Sequence, residues 1–421
     1  MTHSLSALTS LPKDHARGLR RGLTSVCSAH PLVIEAALLQ AAADGAAACI
    51  EATCNQVNQD GGYTGMTPQA FREFVLQIAA RVGFAAENIL FGGDHLGPNP
   101  WRKGPAKTAM AKAVAMTEAY AAAGFGKLHL DASMSCADDP MPLPPATMAA
   151  RAALLAQAAE TGAAQAGRPA PAYIIGTEVP VPGGAAEHLE TLSVTCPDDA
   201  AQTLAIHKAA FAALGLNAAF DRVIALVVQP GVEFGQDNVI AFDAPAASAL
   251  ITARPAMGLV YEAHSTDYQT SAALRALVQG GFAVLKVGPG LTFALREALY
   301  GLDLIAAELD PAHAAHALPL AMEDLMQAHP SDWAAYCHGS AQDQRLQRHF
   351  GYSDRIRYYW NRPEAVGATQ RLMRALEGRR IPETLISQYL PRLMGAAATP
   401  RDILIGAVRL ALDPYSFACH R

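Results

Sequence analysis

Short runs of β-branched and apolar residues recur along the chain, each followed by Gly, Pro or polar punctuation and then by a longer Ala/Leu-rich stretch with helical spacing. Eight such units can be counted, with strand-like runs at Leu23 to Cys27, Ala48 to Thr53, Ile89 to Gly92, Lys127 to Leu130, Ala172 to Gly176, Val223 to Val228, Gly258 to Tyr261 and Ala283 to Val287. Seven steps from the first run to the last cross about 260 residues, roughly 37 per step, in line with ~30 or more for a βαβ unit. Stretches such as Ala106 to Ala123, Ala146 to Ala164 and Ser271 to Gly280 are long enough to serve as crossover helices.

Eight consecutive βα units either close into a barrel or spread into an open doubly wound sheet. The polar residues separate the two. Nearly every strand ends in groups able to do chemistry: His30, then Glu51 with Asn55, Asp94-His95, His129 with Asp131, Glu178, Gln229, Glu262 with His264, and Lys286. An open sheet gathers function at one switch point, whereas a barrel draws it from the ends of many strands. The pattern therefore predicts an α/β fold, a (β/α)8 barrel over residues 1–308. Residues 309–421 differ in character, reading as helices with polar surfaces, and predict a C-terminal helical extension capping the barrel. Its run Asp354-Arg-Ile-Arg-Tyr-Tyr-Trp360 either faces solvent or closes over the barrel mouth and brings Arg357 to an anionic substrate.

Composition narrows the function classes. The chain has 421 residues, 51% of them hydrophobic, enough for one large core. Lys and Arg number 32 against 38 Asp and Glu, so a nucleic-acid backbone is not expected as the main partner. The seven cysteines are scattered without a C-x-x-C pair, which suggests neither a disulfide framework nor a structural zinc knuckle. The N-terminus lacks a signal-peptide layout and the apolar runs are too short to span a bilayer, so a cytoplasmic address with no membrane partner is expected. No G-x-x-x-x-G-K-[ST] occurs and no G-x-G-x-x-G follows a strand, so nucleotide binding by those loops is not expected.

The candidate chemistry centres on Phe91-Gly-Gly-Asp-His-Leu-Gly-Pro98, where two glycines allow a tight bend and an adjacent Asp-His pair sends an acid/base group and a ligand into one site. Side chains of one barrel layer come from alternate strands. His95, Glu178 and His264 end strands three, five and seven, so they can converge on the axis as a Zn²⁺ site with a position open to substrate, with His30 of strand one as a fourth member. The even strands offer Glu51, Asp131, Gln229 and Lys286, suited to binding a polyol and polarising a carbonyl. Lys286 is assigned to anion or oxygen binding, since a metal makes a Schiff base redundant, and pairing with a nearby carboxylate is its structural alternative. Gly288-Pro-Gly290 after strand eight, with Ser265 after strand seven, is where barrels of this kind take a phosphate on a helix N-terminus.

Seven motifs carry a resemblance: Glu51-Ala-Thr-Cys-Asn-Gln-Val-Asn58, Gly92-Gly-Asp-His-Leu-Gly-Pro-Asn99, His129-Leu-Asp-Ala-Ser-Met-Ser135, Gly176-Thr-Glu-Val-Pro180, Gln229-Pro-Gly-Val-Glu-Phe-Gly235, Glu262-Ala-His-Ser-Thr-Asp-Tyr268 and Leu285-Lys-Val-Gly-Pro-Gly290. In this order, and with Arg355-Ile-Arg-Tyr-Tyr-Trp360 in the tail, the chain resembles the GatZ/KbaZ family nearly end to end. The resemblance implies a TIM barrel of galactitol and tagatose catabolism, cytoplasmic, able to form homo-oligomers. Members are described as a non-catalytic, stabilising subunit of class II tagatose-1,6-bisphosphate aldolase, as metal-dependent ketose 4-epimerases, and under an older kinase label that the missing ATP motif disfavours.

Similarity to class II aldolases further implies Asp94 as the proton-transfer group, His95 as a metal ligand and His264 as the last ligand, while Glu178 stands where those enzymes place His. The expectation is then a divalent-metal enzyme, with zinc or manganese, that interconverts D-tagatose 6-phosphate and D-fructose 6-phosphate by retro-aldol and aldol steps. Asp94, Asp131 and Glu51 would be its catalytic carboxylates, and His30, Asn55, Gln229, Ser265, Lys286, Gly288, Gly290 and Arg357 would hold the sugar phosphate. The competing expectation is an accessory barrel that binds an aldolase catalytic subunit without turnover.

Overall fold

The structure, a computed structural model, describes residues 3–177, 192–395 and 399–420. Eight parallel strands form a closed barrel: β1 (Leu23–Cys27), β2 (Ala48–Thr53), β3 (Ile89–Leu96), β4 (Lys127–Leu130), β5 (Ala172–Ile175), β6 (Val223–Val227), β7 (Val260–Ala263) and β8 (Phe282–Val287). Each pairs with its neighbours in sequence, and β8 closes on β1 through pairs such as Ser25 with Lys286. The helices that follow each strand are α1 (Pro31–Asp44), α2 (Pro68–Val82), α3 (Ala106–Ala122), α4 (Pro145–Gln165), α5 (Pro197–Ala213), α6 (Ser248–Met257), α7 (Ser271–Gly280) and α8 (Pro289–Leu309).

Local chemistry sets many of these boundaries. Thr67 caps α2 by accepting the Ala70 N–H, Pro68 supplies a fixed φ at the first turn, and Thr270 caps α7 in the same way. One expected strand is much longer than its apolar run. β3 continues through Asp94-His95 to Leu96, shifting register beyond Gly93 with His95 in the left-handed region at φ 49°. Gly92 makes that path available, because a Cβ there would lie 2.5 Å from the Glu51 carboxylate of the neighbouring strand. β7 also starts two residues later than its apolar run, at Val260.

Two apolar layers result. One lies between the sheet and the surrounding helices. The other fills the bottom of the barrel, where Leu23, Cys49, Leu90, Val260 and Val284 pack with Leu5, Leu8 and Leu11. Those three leucines belong to N-terminal helices at His3–Thr9 and Leu11–Ala16, so a short leading segment plugs the end of the barrel away from the polar strand ends.

Beyond α8 the chain forms α9 (Ala317–Ala328), α10 (Ala341–Phe350), a 3₁₀ turn at Arg355–Tyr358, α11 (Pro363–Ala375), α12 (Glu383–Tyr389) and α13 (Pro400–His420). The turn is stitched to the barrel mouth. Tyr268 donates to the Tyr352 carbonyl at 2.7 Å, Asn361 to the Tyr63 carbonyl at 3.1 Å, and Ser353 to Gln236 at 3.0 Å. α13 instead packs along the outer wall against α1, α7 and α8.

Candidate active site

Side chains of a strand alternate between two faces, so Lys127, His129 and Asp131 of β4 and its exit share the inward face, as do Glu262 and His264 after β7. Above the apolar plug the barrel interior is therefore ionic. Fully buried Lys127 reaches Glu51 at 2.6 Å and Glu262 at 2.7 Å, while Lys286 pairs with Asp94 at 2.8 Å and with Glu51. Burial alone would raise the Glu51 carboxyl, but Lys127 and Lys286 outweigh it and hold it below its usual range. Burial likewise opposes ionisation of Asp94, and His95 with Lys286 pulls it well below the usual range.

Three imidazoles crown this layer. The rings of His95, His129 and His264 stand 4.9 to 5.1 Å apart, edge to face, and candidate ligand atoms of these three and Asp94 all lie within 4.8 Å of one another. Each ring has one nitrogen engaged by its own carboxylate. His95 Nδ1 meets Asp131 at 2.8 Å, His264 Nε2 meets Glu262 at 2.9 Å, and His129 Nδ1 meets Asp94 at 3.1 Å. The His95 amide also approaches His129 Nδ1, at 3.3 Å, but the shorter contact to a charged oxygen favours an N–H at that position. A carboxylate behind each imidazole fixes its tautomer and turns the other nitrogen's lone pair inward, the arrangement that supports a metal ligand.

Two observations test whether the residues suit a metal. His129 Nε2 is buried without a hydrogen-bond partner. In addition, the carboxylates Glu51, Asp94, Asp131 and Glu262 face two lysines, leaving a formal excess of two negative charges when the imidazoles are neutral. One divalent cation would balance that excess. The excess of negative charge shows in His95: burial lowers the imidazole, yet Asp94 and Asp131 outweigh it and raise the ring above its ordinary value. His264 is carried down to about 4, chiefly by burial, and stays neutral. The donor set fits.

The expected site residues divide clearly. Glu51, Asp94, His95, Asp131, His264 and Lys286 belong to one connected network. Asn55, Ser265, Gly288 and Arg357 line the cavity above it, together with Gln56, Tyr63, Asp267 and Tyr358. Glu178 lies outside the described residues.

Three groups are placed otherwise than the simplest expectation. His30 does not join the histidine cluster; it caps α1 by accepting the Leu32 N–H and lines an adjoining chamber that shares Tyr63, Gly288 and Arg357 with the first. Gln229 turns back on its own loop, its carboxamide oxygen accepting the Gly231 and Val232 N–H groups at 2.8 and 3.0 Å. Gly288 and Gly290 do present their amides at the start of α8, but both donate to Asp267 Oδ1, at 2.9 and 2.7 Å, so an internal carboxylate holds the place expected for phosphate.

His129 and Glu262 were named among the polar strand ends but given no role in the site, and Lys127 and Asp267 were not singled out from the sequence. For the first three the signal was present in the period of two: Lys127-x-His129-x-Asp131 and Glu262-x-His264 repeat a polar group on one face of an otherwise apolar strand. Asp267 carried no such signal.

A closed (β/α)8 barrel with a carboxylate-backed histidine centre at its C-terminal strand ends defines a barrel protein with a buried cluster that could hold a metal ion. The family described as D-tagatose-1,6-bisphosphate aldolase subunit GatZ/KbaZ-like matches residues 8–420, and the chain belongs to that family. It is 55% identical over 417 residues to the D-tagatose 6-phosphate 4-epimerase of Agrobacterium fabrum, covering 98% of each chain. It is 50% identical over 412 residues to the D-tagatose-1,6-bisphosphate aldolase subunit GatZ of Salmonella dublin, covering 96% of this chain and 97% of that one. Among solved structures, a probable tagatose 6 phosphate kinase from Sinorhizobium meliloti 1021 superposes with a TM-score of 0.88 at 56% identity, over 95% of this chain and 100% of the other. The fructuronate-tagaturonate epimerase UxaE of Cohnella laeviribosi shares the fold alone, with a TM-score of 0.50 at 12% identity over 94% and 81% of the two chains.

Proposed function

We propose that the protein is a metal-dependent 4-epimerase that interconverts D-tagatose 6-phosphate and D-fructose 6-phosphate. The observation that carries this reading is the complete centre of His95, His129 and His264, each backed by a carboxylate, in a chain 55% identical to a relative named for that reaction. These three imidazoles, with Glu178 as a further candidate, would hold a divalent cation, zinc by the nitrogen-rich donors or manganese. Once bound, the cation supplies Lewis-acid stabilisation of the negative charge that develops when the C3–C4 bond breaks.

The chain's own residues do the rest. Asp94, or Asp131 across His95, takes the C4 hydroxyl proton during cleavage and returns it after the aldehyde has turned over. Lys286, fixed between Asp94 and Glu51, holds that carboxylate ionised and presents an ammonium to the sugar oxygens. Asn55 and Ser265 offer hydrogen bonds to the polyol. With Gly288 and Gly290 engaged by Asp267, Arg357 is the cation placed to meet the phosphate, at the border with the chamber of His30.

A second reading, a subunit that supports a separate aldolase, rests on the 50% identical relatives named as such. Against it stands the histidine centre, whose carboxylate-backed rings and unpartnered buried His129 Nε2 suit a bound cation. The test is to incubate the purified protein with tagatose 6-phosphate, with zinc, with manganese and after chelation, and to follow the sugar by NMR. Fructose 6-phosphate should form in a metal-dependent manner and fail to form with His264→Ala. No turnover with any metal, together with stimulation of a separate aldolase subunit, would establish the second reading instead.

A further inference from the structure

We propose that the chamber adjoining the histidine centre, walled by His30, Trp360 and Arg357, is the subsite for the phosphate-bearing half of the sugar, with His30 and Trp360 as donors to the phosphate beside Arg357. This rests on the sugar-phosphate reading above and names the residues that hold that end of the substrate.

Size separates the two spaces. The cavity over Asp94, His95 and His264 has a volume of about 90 Å³, whereas the chamber beside it has about 480 Å³. Small-molecule sites run from ~300 to ~1,000 Å³, so the first cavity takes one end of a hexose phosphate and the second has room for the rest. The two meet at residues that line both, Cys27, Gln56, Tyr63, Gly288 and Arg357.

Charge then orders the ends. Asp94 and Asp267 line the first cavity, but among the described residues no Asp or Glu lines the chamber, and Arg357 is shared by both. The Arg357 guanidinium bonds uncharged groups, the carbonyls of Ser353 and Asp354 and, at 2.9 Å, the Tyr358 hydroxyl, which anchor it without neutralising it. His30 adds a neutral donor. Its Nδ1 accepts the Leu32 N–H at 3.3 Å and burial holds the imidazole down to about 4, so its one ring proton sits on Nε2, the nitrogen left for the chamber. Trp360 also lines the chamber, is 6% exposed, and keeps its indole N–H buried without a partner, which costs stability unless a ligand completes it. Leu32, Met66, Phe74 and Leu299 supply apolar wall, and in such surroundings a donor pulls harder on an anion than it does in water. Held there by its phosphate, the departing aldehyde half has the space to turn that the first cavity lacks.

The experiment uses the full chain and measures binding of D-tagatose 6-phosphate, D-tagatose and sn-glycerol 3-phosphate by calorimetric titration, the last to chelator-treated protein. His30→Asn and His30→Asp both keep a side-chain oxygen to cap α1 and differ by one negative charge at the chamber, with circular dichroism and melting checking that both fold. Wild type should bind tagatose 6-phosphate roughly ten-fold or more above tagatose, and should bind glycerol 3-phosphate without metal. His30→Asp should bring the ratio of the two sugar affinities roughly ten-fold below that of His30→Asn and abolish glycerol 3-phosphate binding. Trp360→Phe, which keeps an aromatic wall and loses the N–H, should lower the ratio by about three-fold or more.

The proposal is overturned if the two His30 variants share one ratio, if Trp360→Phe keeps the wild-type ratio, or if glycerol 3-phosphate binds only to metal-loaded protein, which would put the phosphate on the metal side. The readout is binding rather than turnover. Absent NMR conversion with the expected binding pattern removes the epimerase reading and leaves the subsite standing, whereas conversion with an unmoved ratio removes the subsite alone.

Discussion

At the scale of single residues, the site is organised by what each ionisable group is buried beside. Asp267 illustrates the rule in isolation. Burial raises its carboxyl to about 6, the Gly288 and Gly290 amides and Arg357 pull the other way, and Glu233 faces it as a second carboxyl whose own value burial lifts to about 7. A carboxyl whose value is higher in the folded than in the unfolded chain binds more protons when folded, so its contribution to stability falls as pH rises from about 4 to about 6. Two units correspond to ~3 kcal/mol. Relative to wild type, Asp267→Asn should therefore gain about 2 kcal/mol of stability between pH 4.5 and pH 7, a window that begins above the unfolded value. Urea unfolding of both proteins at the two pH values measures the gap; a constant gap would show that the carboxyl titrates normally. Asp94-His95 stood out in the sequence because the two polar groups are adjacent at a strand end, whereas Asp267 has meaning only through amides 21 and 23 residues downstream.

At the scale of elements, β4 does the most with the fewest residues. Its alternation places Lys127 between Glu51 and Glu262, and His129 one step higher in the histidine cluster. Removing one partner of a buried ionic group leaves the others uncompensated, at a cost of about 3–5 kcal/mol. Lys127→Met should lower the unfolding free energy by an amount in that range at pH 7, and adding Glu262→Gln should recover part of it. A loss below ~1 kcal/mol in urea unfolding would mean that the carboxylates take up protons instead of depending on the lysine. The existence and order of all eight strands were legible from apolar runs and their punctuation. The extension of β3 was not, because Gly-Gly-Asp-His reads as a loop until the neighbouring Glu51 side chain is seen to need the space a glycine leaves. The plugging helices at the N-terminus were also missed: six or seven residues carry too little periodicity to announce themselves.

For the whole molecule, the proposed metal centre would tie stability to a bound cation, because the barrel interior carries an excess of negative charge. A ligand that binds only the folded state adds about 2.7 kcal/mol at one hundred times its Kd. Zinc or manganese should therefore raise the melting temperature of the chelator-treated protein, and His129→Ala should abolish that rise while remaining folded. A melting temperature indifferent to every divalent ion would argue that the cluster is a purely internal network. The extension after α8 works at this scale too. Its 3₁₀ turn brings Arg357 and Tyr358 to the cavity, with Tyr358 set 5.0 Å from Tyr63, while α13 braces the outer wall.

The alternation of apolar runs and helical stretches specified eight βα units, because strand and helix periods are local properties of the chain, and the polar strand ends then pointed to a barrel rather than an open sheet. The chemical character of the strand ends was equally legible, since side chains there are forced towards one face. Which of those groups meet was settled only by closure. His129 joins His95 and His264 because β3, β4 and β7 converge on one axis, and Asp267 reaches the α8 amides because β7 lies beside β8. Such partnerships join residues from 23 to 235 positions apart. Sequence spacing does not encode distances of that kind; packing in three dimensions does.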